Sequence, residues 1–115
     1  MSDFIDTTTT QLNKASVLSD PSALEYIEPF WSSEPIYDYY LEVMKEGVIL
    51  ETLDLSTRPF YLIGRDQVHC PIFLEHPSIS RKHAILQHKD TGDLFLYDLG
   101  STHGTFLNKR QLPAL

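Results

Sequence analysis

The sequence predicts an all-β protein, an antiparallel two-sheet β-sandwich, and three observations lead there. From Tyr39 onward, short runs rich in β-branched and aromatic residues alternate with polar ones. Polar, glycine-containing clusters separate those runs at close spacing. No segment carries a helical period convincing enough to compete with that texture.

The elements follow in order. Residues 1–34 read as a disordered leader: Thr7 to Thr10 is a short low-complexity run, and Asp20-Pro21 and Glu28-Pro29 each break a helix. Within it, Ser22-Ala23-Leu24-Glu25 is placed for one helical turn behind a serine cap. Phe30-Trp31 is either an aromatic anchor on the domain or incidental to a linker. Residues 35–115 are assigned to the domain. Leu41, Val43 and the stem of Lys45 alternate with Tyr40, Glu42 and Met44; Glu46-Gly47 turns the chain, and Val48 to Leu55 completes a hairpin. Pro59 to Ile63 is a strand ending at Gly64, Ile72-Phe73-Leu74 a short apolar run, and His83 to His88 alternates again. Lys89 to Asp93 is a turn cluster, Leu94 to Tyr97 a strand, and Thr105-Phe106-Leu107 another strand start. The chain stops just after Asn108-Lys109-Arg110, before any closing hairpin, so C-terminal strands are expected to be missing and the second sheet incomplete.

Length and charge bound the function. At 115 residues the chain has room for one domain. No apolar run approaches the ~20 residues of a bilayer span, and Met1 is not followed by a secretory n-region. The single Cys70 makes no internal disulfide or zinc site by itself and suits a reducing compartment. The net charge of -7 excludes a general binder of nucleic-acid backbone. That sum hides a split: eleven carboxylates face three cations before residue 61, and five face six after it, where all five histidines also lie. A compact anion site is therefore sought after residue 60.

Three segments there pair a small residue with polar donors: Gly64-Arg65, Ser78 to His83, and Gly100 to Thr105. Each lies beside a strand end, so Arg65, Ser80, Arg81 and Thr102 gather at one edge of the predicted sandwich. Planar arginine forks, hydroxyls and glycine-permitted backbone N–H groups together form a phosphate cradle.

The blocks Gly64-Arg65, Ser80-Arg81-Lys82-His83-Ala84 and Asp98-Leu99-Gly100-Ser101-Thr102-His103-Gly104-Thr105-Phe106-Leu107-Asn108, in that order, resemble the signature of forkhead-associated (FHA) domains. The likeness covers roughly residues 30–115. It implies a two-sheet sandwich that binds a phosphothreonine-containing protein through loops at one end, without cofactor, metal or catalysis. Carried over by position, Arg65 holds phosphate oxygens, Ser80 donates its hydroxyl, Arg81 adds a donor, Thr102 contacts the phosphothreonine and His103 meets peptide main chain. Gly64, His83, Gly104 and Asn108 shape and brace the loops. Position 103 departs from the family's commonest residue, asparagine, and a neutral imidazole does not offer an amide's donor and acceptor together. The family fold also continues past Leu115 for several strands. By analogy with family members the expected compartment is the nucleus, with the cytoplasm as a second.

Other readings compete. The same sandwich serves equally as a phosphate-independent scaffold in nuclear RNA processing or adaptor complexes. An enzyme reading draws on Gly100 to Gly104, which imitates a nucleophile elbow but lacks the helix an elbow needs, and on Ser80, His83 and Asp98 as a triad. A metal reading draws on His69-Cys70 and His103, whose spacing matches no compact zinc pattern. Thr7 to Thr10 is either an inert polar tail or a phosphorylated segment captured by the domain.

Overall fold

The computed structural model describes residues 26–115, so the readings of Thr7 to Thr10 and of Ser22 to Glu25 lie outside the described residues. Eight strands follow: β1 (Tyr40–Lys45), β2 (Val48–Asp54), β3 (Phe60–Gly64), β4 (Ile72–Phe73), β5 (Ala84–His88), β6 (Leu94–Asp98), β7 (Phe106–Leu107) and β8 (Arg110–Gln111). The described residues contain no helix. The principal sheet has the order β4-β3-β5-β6, with β1-β2 and β7-β8 as separate two-stranded sheets.

The first hairpin forms as its sequence dictates. Glu46 and Gly47 both take positive φ, 51° and 79°, the primed turn whose twist matches the flanking strands. Its register shifts between Val43 and Met44, because Val43 faces Glu51 while Met44 faces Ile49. Leu41 and Leu53 are paired and turn one face of this hairpin toward the principal sheet.

In that sheet, β3 and β5 are the inner strands and bury every residue. Two apolar layers explain why. On one face Tyr61, Ile63, Ala84 and Leu86 pack with Ile72 and Leu55, and Leu41, Leu53, Leu94 and Leu96 close over them. On the other, Phe60, Leu62, Ile85 and Cys70 pack under Tyr26, Tyr97 and Leu99. Residues 26–34, placed in the leader by composition, lie against this second face. The Tyr26 hydroxyl donates to Gln87 Oε1 at 2.7 Å, Gln87 Nε2 donates to Ser32 Oγ at 2.8 Å, and the Trp31 ring sits 5.3 Å from that of Phe95. Trp31 is thus the anchor of its pair, whereas Phe30 is fully exposed.

Two expectations need correction. Strand pairing is antiparallel except at β4, which runs parallel to β3 through Ile63–Ile72 and Gly64–Phe73. The connection over 65–71 is short for a parallel pair, which normally needs a longer crossover. It suffices because the shared ladder is only two residues long. The sequence also closes a hairpin where none was expected. Asn108 and Lys109 adopt φ of 51° and 68°, a primed two-residue turn joining β7 to β8. Asparagine tolerates that left-handed conformation, and lysine there hid the signal that glycine normally supplies.

Candidate phosphate-binding loops

Three loops meet at the end of the principal sheet where β3 stops, β5 begins and β6 stops. The first contact is set by Gly64. A Cβ at this position would lie 2.0 Å from the Arg81 carbonyl oxygen, so only glycine lets the β3 end and the β4–β5 loop approach this closely. Two main-chain bonds then clamp the loops together: Arg65 N–H donates to Ser80 O at 3.0 Å and Asp66 N–H to Arg81 O at 3.3 Å. The Cys70 thiol donates to that same Arg81 oxygen at 3.2 Å.

The side chains follow from this frame. Arg65 is exposed, and its Nε–H donates to Ile79 O at 2.9 Å, orienting the fork. Arg81 is exposed beside it, its Nη2 3.8 Å from Asp66 Oδ2. Ser80 Oγ accepts the Thr102 N–H at 3.0 Å, which draws the β6–β7 loop onto the β4–β5 loop. Because that bond uses an oxygen lone pair, the hydroxyl hydrogen of Ser80 remains available as a donor. Thr102 and His103 are exposed at the rim. Arg65, Ser80, Arg81 and Thr102 are therefore brought to one junction, with His103 next to Thr102 in the chain.

His83 holds the junction from below. Its ring is buried, Nδ1 accepts the Ser80 N–H at 3.0 Å, and Nε2 lies 3.0 Å from Gly104 O. Since a carbonyl only accepts, Nε2 carries the proton and the imidazole is neutral with Nδ1 bare. One ring therefore spans the β4–β5 and β6–β7 loops. Gly104, at φ 86°, turns its carbonyl to meet it.

Asp98 organises the third loop. It is buried, and its carboxylate accepts from Gly100 N–H at 3.0 Å, Ser101 N–H at 3.3 Å, the Ser101 hydroxyl and the Thr105 hydroxyl at 2.7 Å. Burial by itself raises the pKa of this carboxyl, but the donors from Ser101, Thr105 and Gly100 outweigh it and hold the pKa below the ordinary carboxylate value. This rules out a Ser80–His83–Asp98 relay. His83 takes the Ser80 main-chain N–H rather than its hydroxyl, and Asp98 bonds its own loop rather than the imidazole. Gly100 to Gly104 leads into β7, not into a helix.

The metal reading finds no cluster: among the described residues no group of three His, Cys, Asp or Glu is placed to hold an ion. Cys70 is buried and His69 is turned toward Asp66. No helix among the described residues is long and apolar enough to cross a membrane. Of the two residues with structural weight at this end, Asp66 is not singled out by the sequence, whereas Asp98 reads there as a turn former, and it caps its own loop. The aspartate-before-glycine-serine pattern is the usable signal for Asp98, since such side chains cap the backbone two and three residues on.

The pattern that defines the FHA domain matches residues 61–114, the stretch from β3 through β8 that carries all three loops. The chain belongs to the FHA-domain family. It is similar to kanadaptin of Homo sapiens, 46% identical over 98 residues that make up 76% of this chain and 13% of kanadaptin. It is also similar to the nuclear inhibitor of protein phosphatase 1 of Homo sapiens, 40% identical over 85 residues, 73% of this chain and 24% of that protein. The solved FHA domain of TbPar42 matches 96% of this chain and 57% of its own, with a TM-score of 0.62 and 33% identity. The chain thus spans a minor share of the length of these curated relatives.

Proposed function

We propose that this chain is a non-catalytic interaction module that binds a protein through a phosphothreonine, held by Arg65, Ser80, Arg81 and Thr102, with His103 reading adjacent peptide main chain. The Thr102 N–H to Ser80 Oγ bond carries the reading. It brings two separate loops together and leaves the Ser80 hydroxyl hydrogen free to donate, while Arg81, next to Ser80 in the chain, and Arg65, on the β3–β4 loop, stand exposed. A phosphothreonine presents roughly two negative charges and three acceptor oxygens, which suit two guanidinium forks and a hydroxyl. The site lies on loops braced by His83 and Asp98, so the donors are positioned before the ligand arrives.

The names of the nuclear inhibitor of protein phosphatase 1 and of the Smad nuclear-interacting protein, 29% identical over 101 residues in the Mus musculus form, support a nuclear setting. The test is selection from a peptide library carrying phosphothreonine, phosphoserine or unmodified threonine, by wild type and by Ser80→Ala. The proposal expects enrichment of phosphothreonine peptides by wild type and a loss of roughly tenfold or more in Ser80→Ala, the value of one hydrogen bond to a charged group. Enrichment of unmodified peptides, equal in both proteins, supports instead a phosphate-independent scaffold.

A further inference from the structure

The Asp66 side chain has no role in the site so far, yet it is among the most heavily bonded near it. Its side chain is 7% exposed. Oδ2 accepts from His69 Nδ1 at 2.7 Å and from Lys82 Nζ at 3.2 Å, and lies 3.8 Å from Arg81 Nη2. Oδ1 accepts the Val68 N–H at 3.1 Å. Its main chain donates to Arg81 O and accepts from the N–H groups of His69 and Cys70. The residue directly after Arg65 therefore grips, across the gap between loops, the two residues directly after Ser80.

A carboxylate next to an anion-binding site is electrostatically unfavourable for the ligand. Its presence calls for a structural return, and the contacts supply one. Lys82, with its side chain 18% exposed, is drawn inward and neutralised, while Arg81, 65% exposed, is left facing solvent. The site then presents the Arg65 and Arg81 forks rather than a loose group of three cations.

We propose that Asp66 is a positioning residue for phosphate binding, locking the Arg65 loop to the Arg81-Lys82 segment so that both guanidinium groups are held in one geometry. This rests on the phosphopeptide reading above. It makes a prediction of sign. Replacing Asp66 by Asn removes a negative charge beside the site, so Coulomb attraction alone tightens phosphate binding; loss of the lock weakens it.

The experiment is calorimetric titration of a phosphothreonine peptide, with inorganic phosphate followed in parallel by amide chemical shifts, on wild type, Asp66→Asn and Asp66→Glu, well below each melting temperature. Asp66→Asn is expected to bind the peptide about tenfold more weakly despite its extra unit of positive charge. Asp66→Glu keeps the charge but moves the carboxylate by a methylene, and is also expected to bind more weakly than wild type. Should Asp66→Asn fail to fold, Asp66→Glu decides. Equal or tighter binding by a folded variant overturns the positioning role and leaves the phosphopeptide reading intact, as does a lowered melting temperature with unchanged affinity. Wild type that responds to neither peptide nor phosphate overturns both.

Discussion

Among the five glycines, an added Cβ would meet the closest neighbour at Gly64, and Gly64→Ala therefore tests how the fold builds the site. The added Cβ would lie 2.0 Å from Arg81 O, 2.8 Å from the Arg81 carbonyl carbon and 2.9 Å from Cys70 Sγ. Carbon and oxygen in contact need well over 3 Å, so the Arg81 carbonyl must retreat by about an ångström or more. It is not free to do so, because it accepts from Asp66 N–H and from the Cys70 thiol. Overpacking costs about 1–3 kcal/mol, and weakening these two bonds adds about 1 kcal/mol, giving an expected destabilisation of about 3 kcal/mol. The movement also drags Ser80, whose carbonyl holds the Arg65 N–H, so affinity for a phosphothreonine peptide should fall by about tenfold or more. Urea unfolding, followed by the fluorescence of the single Trp31, measures the first effect and calorimetry the second. Adding Cys70→Ala relieves only the sulfur contact and should restore neither. A Gly64→Ala protein within about 0.5 kcal/mol of wild type, with unchanged affinity, refutes the close-approach reasoning. So does full rescue by Cys70→Ala.

Two further outcomes follow from the braces. His83→Ala leaves the part-buried Ser80 N–H and the Gly104 carbonyl without their shared partner, so it should destabilise by about 2 kcal/mol and speed hydrogen exchange at the Ser80 amide; unchanged exchange there contradicts the bridging role. In acid, burial alone pushes the Asp66 carboxyl up, but His69 and Lys82 outweigh it and hold the pKa at about 2 against an ordinary 3.8, and Asp98 is lowered as well. Both folded-state values lie below the unfolded ones, so the stabilisation is complete above about pH 4 and is lost as pH falls toward 2. For Asp66 that amounts to about 2 kcal/mol, read from urea midpoints across this range. Asp66→Asn should flatten its share of the slope, and a stability that rises on acidification contradicts the assignment.

Most of the framework was legible because its signals are local. Glu46-Gly47 announces its turn, and the alternation in β1, β2 and β5 announces their strands. The parallel β3–β4 pair was not legible, since a two-residue ladder leaves no periodic trace. The β7–β8 hairpin was missed because lysine occupies a positive-φ site where glycine is the expected residue. At the proposed site, the four residues that the sequence reads as phosphate chemistry, Arg65, Ser80, Arg81 and Thr102, lie on loops that folding brings together. The residues that hold them were less legible. Asp66 reveals itself only once folding brings Lys82, sixteen positions away, within 3.2 Å. Docking of Tyr26 on Gln87 and Phe60 is likewise a long-range contact that a polar, proline-broken segment conceals.

Direct titration of one phosphothreonine peptide and its unphosphorylated twin into the folded protein, repeated with Arg65→Ala, tests the central claim. A phosphate held by two arginines and a hydroxyl predicts a preference for the phosphorylated peptide of roughly a hundredfold, largely lost in Arg65→Ala. Equal affinity for the two peptides, or a preference that Arg65→Ala leaves intact, contradicts it.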